Sequence, residues 1–242
     1  VQVYNLENGQ TSTVTRPGIR YVAPAFDPKG EYLYFISSER LNPVYSDMML
    51  DVFFPRTHLP CVLPLKATTP SPFLRKAEPE APAKDEKMEK PEVRVTIDFE
   101  NIVQRKLSFP VGEAIYTKIL PAADGKVFYE VWPSEGTLDE VGWDFSVSAK
   151  TSVKSFDFKT GKDEDHVAGV TEFSLSQDGE WQLVRVRNNA HVSKTSEKPK
   201  LDKPAKEFHS KSGWIDFKRI KLMVDPPKEW KRKITKEQLI EE

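Results

Sequence analysis

Two apolar runs near the start of the chain predict a β-hairpin. Residues 22–26 and 31–36 are rich in aromatic and β-branched residues, and the turn-forming sequence 27–30 separates them. Alternate side chains of a strand lie on opposite faces. In the second run both faces are apolar, with Tyr32, Tyr34 and Ile36 on one side and Leu33 and Phe35 on the other. A strand of this kind must be covered on both sides, so we expect an inner strand.

The hairpin pattern recurs along the chain. It returns over 115–132 around Asp124-Gly125 and over 170–186 around Asp178-Gly179, two turns that lie 54 positions apart (179 − 125). Asp-Gly suits a type I′ turn, in which both central residues have positive φ. Two further alternating segments, 3–9 and 155–161, end in glycine. Four-stranded units that repeat at roughly 40 to 50 residues are typical of β-propeller blades.

The pattern therefore predicts an all-β fold, a β-propeller segment forming an open arc of about three to four blades of four-stranded antiparallel sheet. We expect neighbouring blades to bury Tyr32, Phe35, Phe128 and Trp181. The predicted layout is a partial propeller over 1–212, followed by 213–242 with the last strand and the start of another domain. Residues 1–18 end one blade, and the next blades are 19–74, 93–168 and 169–224. Residues 75–92 are predicted to be a disordered loop.

Some segments are interpreted in more detail. Residues 41–45 read as a loop, and 48–54 and 59–65 as outer strands. The second of these should lie at a blade edge because it contains Pro60 and Pro64. Strands should resume from Val93 through Ile97 and Val103 to Phe109. Asp225-Pro226-Pro227 reads as the start of a short C-terminal helix, docked by Trp230.

Composition adds bounds on the class of protein. The 242 residues include 36 basic and 37 acidic side chains, for a net charge of −1, so no overall field favours nucleic acid. The longest apolar runs are strand-length, which predicts no transmembrane helix. The one cysteine, Cys61, excludes an intramolecular disulfide and fits a reducing compartment.

A search for chemistry finds no candidate catalytic, metal-binding or cofactor-binding residue. The histidines His58, His166, His191 and His209 each stand alone, without a second ligand at metal spacing, and are interpreted as surface or hydrogen-bonded strand residues. Cys61 lies among apolar residues and reads as a small buried side chain. Neither a Gly-x-Ser-x-Gly elbow nor a phosphate-binding glycine loop is present. Substrate-binding residues are not singled out by the sequence.

The C-terminal part is the most basic region. Residues 198–242 contain 13 Lys and Arg and 8 Asp and Glu, a surplus of five, with Trp214, Phe217 and Trp230 between them. Nucleic-acid binding is the functional reading of such a stretch. We favour a domain junction instead, because acidic residues are spread through the run.

Three groups of segments outside the repeats carry a family resemblance. The first is 42–45 with 51–56 and 69–73, the second 97–102 with Arg105 and 109–111, and the third 215–221 with 224–226 and 229–230. In this order they resemble the tricorn protease family over nearly the whole chain. They correspond to the later part of its second, seven-bladed propeller and the start of the following domain. After Trp230 the sequence departs from the family's pattern.

The resemblance implies a large serine peptidase of the cytosol, assembled as a ring, whose propellers restrict and conduct peptides but are not catalytic. The implied partners are peptide substrates, the remaining blades and catalytic domains, and further copies in a homo-oligomer, with no nucleic acid or membrane. The catalytic Ser and His of the family lie beyond the matched residues, so the chain itself would carry no catalytic residue and no cofactor.

A free-standing propeller that binds protein partners is the alternative class. It would need no catalytic domain, and a signal peptide upstream would place it in the periplasm. Flanking sequence separates the two classes: earlier blades with a downstream Ser and His indicate the peptidase, whereas a signal peptide and an early stop codon indicate the binding module.

Overall fold

A computed structural model of the chain describes residues 1–46, 51–54, 56–74, 95–132, 150–199, 201 and 213–216. The predicted loop over 75–92, the predicted helical tail with Trp230, and His209 lie outside the described residues.

The described residues form strands joined by turns. The strands are β1 (Gln2–Tyr4), β2 (Thr11–Thr13), β3 (Tyr21–Phe26), β4 (Tyr32–Ser37), β5 (Val44–Ser46), β6 (Asp51–Phe53), β7 (Leu59–Pro64), β8 (Leu107–Ser108), β9 (Ile115–Pro121), β10 (Lys126–Trp132), β11 (Thr151–Asp157), β12 (Lys162–Val170), β13 (Glu172–Leu175), β14 (Trp181–Val186), β15 (Asn189–Lys194) and β16 (Trp214–Asp216). A single 3-10 turn, Ile102–Arg105, is the helical element among these residues. No described helix has the length and apolar character needed to cross a membrane.

The strands pair into antiparallel sheets that follow chain order. Three sheets have four strands each, in the orders β3-β4-β7-β8, β9-β10-β11-β12 and β13-β14-β15-β16. Strands β1 and β2 form a two-stranded sheet, and so do β5 and β6. The predicted all-β propeller class is confirmed. The predicted boundaries of individual blades stay a prediction.

The three predicted hairpins are present, but the two Asp-Gly turns differ in type from the prediction. Gly30, Gly125 and Gly179 have positive φ, whereas the neighbouring aspartates do not. Each glycine N–H bonds to the carbonyl three residues earlier, as in a type I turn closed by a glycine bulge. The aspartates instead accept the N–H two residues on, at 3.1 Å in all three turns. One boundary also moves, since Val170 ends β12 and does not begin β13.

The expectation that 59–65 lies at a blade edge is wrong, because β7 pairs with β4 on one side and β8 on the other. The hydrogen-bond register explains how it tolerates proline. Leu65 bonds to Glu31 O on the β4 side, whereas Pro60 O accepts Phe109 N–H on the β8 side. Alternate residues of a strand bond to opposite neighbours, so the missing N–H groups of Pro60 and Pro64 fall on the β8 side. Strand β8 pairs only with Cys61 and Val62, so Pro64 faces no β8 residue and Pro60 lies at the end of the ladder, where proline is tolerated.

Two further expectations need correction. Part of the expected loop 41–45 belongs to β5, which pairs with β6 as a separate hairpin. The expected strands through Ile97 and Val103 are absent from the described structure. Both side chains instead pack against the apolar cluster beneath β4 and β7, while Asp98 N–H bonds to Leu65 O.

Apolar clusters fill the spaces between successive sheets. The first junction, between the β1–β2 pair and the β4 sheet, contains Val14, Leu33, Phe35, Cys61, Leu63, Leu65 and Ile102. The central junction, between the β4 and β10 sheets, contains Tyr34, Ile36, Val62, Phe109, Tyr116, Ile119, Val127, Tyr129 and Phe156. The last junction, between the β10 and β14 sheets, contains Ala122, Phe128, Val153, Val167, Val170, Phe173 and Val184. Strand β4 thus supplies alternate side chains to two junctions, as its sequence predicted.

The sheets are arranged as a fan whose first strands come together. Strands β3 and β9 are in contact, and a β9 side chain reaches β13. We call the edge formed by β3, β9 and β13 the inner edge. In a propeller the blades surround a central channel, so this edge corresponds to the channel side.

Candidate functional site

The inner edge is irregular in two of its three strands, β3 and β9. In β3 the register shifts between Val22 and Ala25, and Ala23 has a φ of 52°. In β9 the pairing skips Thr117, because Tyr116 pairs with Val131 and Lys118 with Glu130. Bulges of this kind interrupt an edge and re-aim side chains.

A polar bridge joins β9 and β10 to the backbone of β13. Lys118 Nζ donates to Phe173 O at 2.7 Å, and Glu130 Oε1 accepts Phe173 N–H at 3.1 Å. Thr117 Oγ1 donates to the other Glu130 oxygen at 3.0 Å. The edge-facing backbone groups of Phe173 are therefore both satisfied by side chains of the neighbouring sheet.

The sequence contains a signal for this bridge. Lys118 and Glu130 interrupt strands that are otherwise largely apolar, and they pair directly across β9 and β10. A charged residue facing an apolar junction needs a partner, so the pair indicated a polar contact at the sheet edge.

The hairpin turns gather on one side of the fan and border two cavities that are open to solvent. The central cavity, at the central junction, has a volume of about 230 Å³ and lies between the Asp27 turn, the Asp124 turn and Phe158. The last cavity, of about 180 Å³, lies between Asp124, Gly179, Trp181 and Thr195. Each cavity spans two sheets.

The environments of the described histidines indicate a structural role. His166 Nε2 lies 2.7 Å from Gln182 Oε1, and its ring packs on Phe128 and Phe173. The Gln182 amide nitrogen donates to two backbone carbonyls, which leaves its oxygen to accept from His166. Burial lowers the pKa of His58, His166 and His191, which favours their neutral forms.

Cys61 is fully buried in the first junction, and burial raises the pKa of its thiol. Such a thiol is neither accessible nor deprotonated enough to act as a nucleophile. Among the described residues, no group of three His, Cys, Asp or Glu side chains could hold a metal ion.

Two polar clusters link neighbouring segments through hydrogen bonds and ion pairs. Burial alone would raise the pKa of Glu39, but hydrogen bonds from Lys106 and Tyr21 outweigh it and hold that pKa below its ordinary value. Similarly, Tyr129 donates to Asp163, which also pairs with Lys154 at 3.3 Å. Neither cluster couples a nucleophile to a base.

The fan of four-stranded sheets, joined at an inner edge, defines a portion of a β-propeller. The family model described as the tricorn protease second beta propeller domain matches residues 1–196. The chain belongs to the tricorn protease family and contains part of this propeller domain.

Curated relatives agree along most of the chain. It is 27% identical over 225 residues to a tricorn protease homolog of Saccharolobus solfataricus, and the aligned region covers 93% of this chain and 19% of the relative. It is also 27% identical over 237 residues to tricorn protease homolog 1 of Streptomyces coelicolor, covering 96% of this chain and 22% of the relative. The chain thus spans about a fifth of the length of these relatives.

A solved structure has the same fold. The crystal structure of the tricorn protease superposes with a TM-score of 0.64 at 22% identity, covering 81% of this chain and 18% of the crystallised chain.

Proposed function

We propose that this chain is a non-catalytic portion of a tricorn-type serine peptidase that gates and conducts peptides toward a catalytic site outside the chain. The match of residues 1–196 to the second-propeller model carries the proposal. The geometry of the inner edge supports it.

Conduction requires that a passing peptide is not held by strand addition. Extended peptides bind to sheet edges through unpaired backbone N–H and C=O groups. On β13 the edge-facing groups of Phe173 are already bonded to Glu130 and Lys118, and β3 and β9 are bulged at Ala23 and Thr117. An edge blunted in this way favours passage over capture.

The proposal extends to partners and location. The partners are peptide substrates, the remaining blades and catalytic domains of the same peptidase, and further copies in a homo-oligomer. A cytoplasmic location follows for such a peptidase.

The first test asks whether the chain has any activity of its own. We expect no hydrolysis of fluorogenic peptides and no labelling by a serine-directed phosphonate. Specific labelling of one serine would show that the chain is itself a peptidase.

The second test concerns gating in a peptidase that carries this propeller with its catalytic domains. Thr117→Trp adds bulk at the inner edge and should lower kcat/KM for a long peptide, with little change for a dipeptide-sized substrate. The matched control is Thr13→Trp on the exposed side of β2. Equal effects of both variants, or none, would contradict gating and leave a protein-binding module as the better reading.

A further inference from the structure

The central cavity is lined by a hydroxyl that meets no acceptor within the described part of the chain. Tyr34 is 3% exposed and lines the cavity, yet its hydroxyl makes no hydrogen bond among the described residues. Other tyrosines nearby are satisfied: Tyr32 donates to Pro70 O at 3.0 Å, and Tyr116 donates to Gly112 O at 2.5 Å. The Tyr34 hydroxyl is open to the cavity, so it can donate to an acceptor that enters from outside.

The rest of the cavity is suited to a bulky apolar group. Its lining includes Tyr32, Phe158, Pro72 and Pro121, which present ring and proline surfaces. Its volume of about 230 Å³ exceeds the roughly 150 Å³ of an engineered cavity that binds benzene. An aromatic or large aliphatic side chain therefore fits.

Charge at the rim points to the nature of the acceptor. The exposed side chains of Lys29 and Lys159 line the cavity and have no hydrogen bond or ion pair among the described residues, whereas Lys126 pairs with Asp124 at 3.6 Å. Two acids also line it. Asp27 Oδ2 already accepts two backbone N–H groups, and burial raises the pKa of this carboxyl, which leaves Glu31 as the exposed acid.

We infer that the central cavity is a binding site for a carboxylate next to a bulky apolar group, as carried by a peptide. The apolar group enters between Tyr32 and Phe158, and the carboxylate accepts from the Tyr34 hydroxyl and lies near Lys29 and Lys159. Burial raises the pKa of Tyr34, so its hydroxyl keeps the proton that it donates. Only the choice of a peptide as ligand rests on the proposed function.

The carboxylate has two possible sources, the C-terminus of a peptide or an acidic side chain. The experiment uses the whole 242-residue chain and fluorescence anisotropy of peptides labelled at the N-terminus. One peptide ends in Phe with a free carboxylate, the second is the same peptide amidated, and the third is amidated with Phe followed by Glu inside the sequence. We expect the amidated Phe peptide to bind about tenfold more weakly than its free acid.

Variants locate the binding. Tyr34→Phe keeps the ring and should weaken binding of the free acid by about tenfold, because it removes a hydrogen bond to a charged group. The control Tyr116→Phe alters a buried tyrosine that does not line the cavity and should leave binding unchanged. Lys29→Gln with Lys159→Gln should weaken binding about threefold to tenfold, less so at high salt, while Lys162→Gln should not.

The outcomes separate clearly. Preference for the free acid over both amidated peptides supports the site and identifies the C-terminus as the source of the carboxylate. If the Phe-Glu peptide binds as tightly as the free acid while the amidated Phe peptide binds more weakly, the source is the acidic side chain. Binding of all three peptides alike, no binding, or unchanged affinity in both the Tyr34 and the lysine variants would overturn the inference. The lysine changes are at exposed positions, so they remain informative if Tyr34→Phe reduces stability. Carboxylate-dependent binding without any effect of Thr117→Trp on peptidase turnover would keep this site and reject gating.

Discussion

The central junction and the outer face of the last sheet are built from similar strands but have different surroundings. At the central junction Phe109 lies between 5.2 and 6.4 Å, by ring centroids, from five other aromatic rings. On β14, Gln182 and Val184 are buried in the last junction, whereas Trp181 on the opposite face is 45% exposed. The hydrophobic pattern along a strand shows that both of its faces can be buried. Whether they are buried depends on a neighbouring sheet that packs against each face.

The largest effect should come from the centre of the aromatic cluster. Phe109→Ala removes a buried ring that contacts three strands' side chains and should lower the free energy of unfolding by about 3 to 5 kcal/mol. Leu6→Ala, at a residue 89% exposed, is the control and should change it by less than about 0.5 kcal/mol. Urea denaturation followed by circular dichroism measures both. Similar values for the two variants would contradict the central junction as the main core.

A smaller effect is expected at the last junction, which relies on a polar pair. Gln182→Leu removes the acceptor of His166 and two donors to backbone carbonyls, and should destabilise the fold by about 1 to 3 kcal/mol. Thermal and urea unfolding measure the change. An equally stable or more stable variant would mean that the hydrogen bonds of Gln182 do not hold the two sheets together.

Stability should also fall in mild acid because of the partly buried histidines. A lowered pKa means that the unfolded chain binds protons more readily than the folded one, so the stabilisation is complete above the ordinary histidine pKa of about 6.5. It is lost as the pH falls from there through the lowered folded-state pKa values. Urea midpoints between pH 7.5 and 5.5 test this, and His166→Gln should reduce the dependence. A midpoint that rises on acidification would contradict the neutral state of His166.

The smallest effect on stability is expected at the uncovered face. Trp181→Ala should change the free energy of unfolding by less than about 1 kcal/mol, because nearly half of the side chain is already in water. The same urea titration serves as the measurement. A comparable loss to that of Phe109→Ala, measured at a protein concentration where the chain is monomeric, would show that the face is covered within a single chain.

Much of the fold was predictable from residues 22–36 and their repeats, because alternation and glycine turns are local features. The β7 assignment failed for a non-local reason: whether Pro60 and Pro64 are tolerated depends on the two-residue length of β8, which comes more than forty positions later. The turn type failed because Asp124 and Asp178 accept a backbone N–H and do not themselves adopt positive φ.

The candidate site was less accessible to sequence reasoning. The central cavity joins Tyr34 to Phe158 across two sheets, and no spacing along the chain reveals that contact. The prediction that Trp181 is buried is wrong. Its side chain is 45% exposed because no described sheet packs on its face.

The described residues form a fan of propeller sheets in which Trp181, on the outer face of the last sheet, is exposed and could receive another sheet. Sedimentation velocity of the whole chain, with binding of a hydrophobic dye measured in the same buffer, tests it most directly. An exposed apolar side chain such as Trp181 favours contact with a second apolar surface, so we predict self-association or dye binding, reduced by Trp181→Glu. A compact monomer with a sharp thermal transition and no dye binding, unchanged by Trp181→Glu, would contradict the claim.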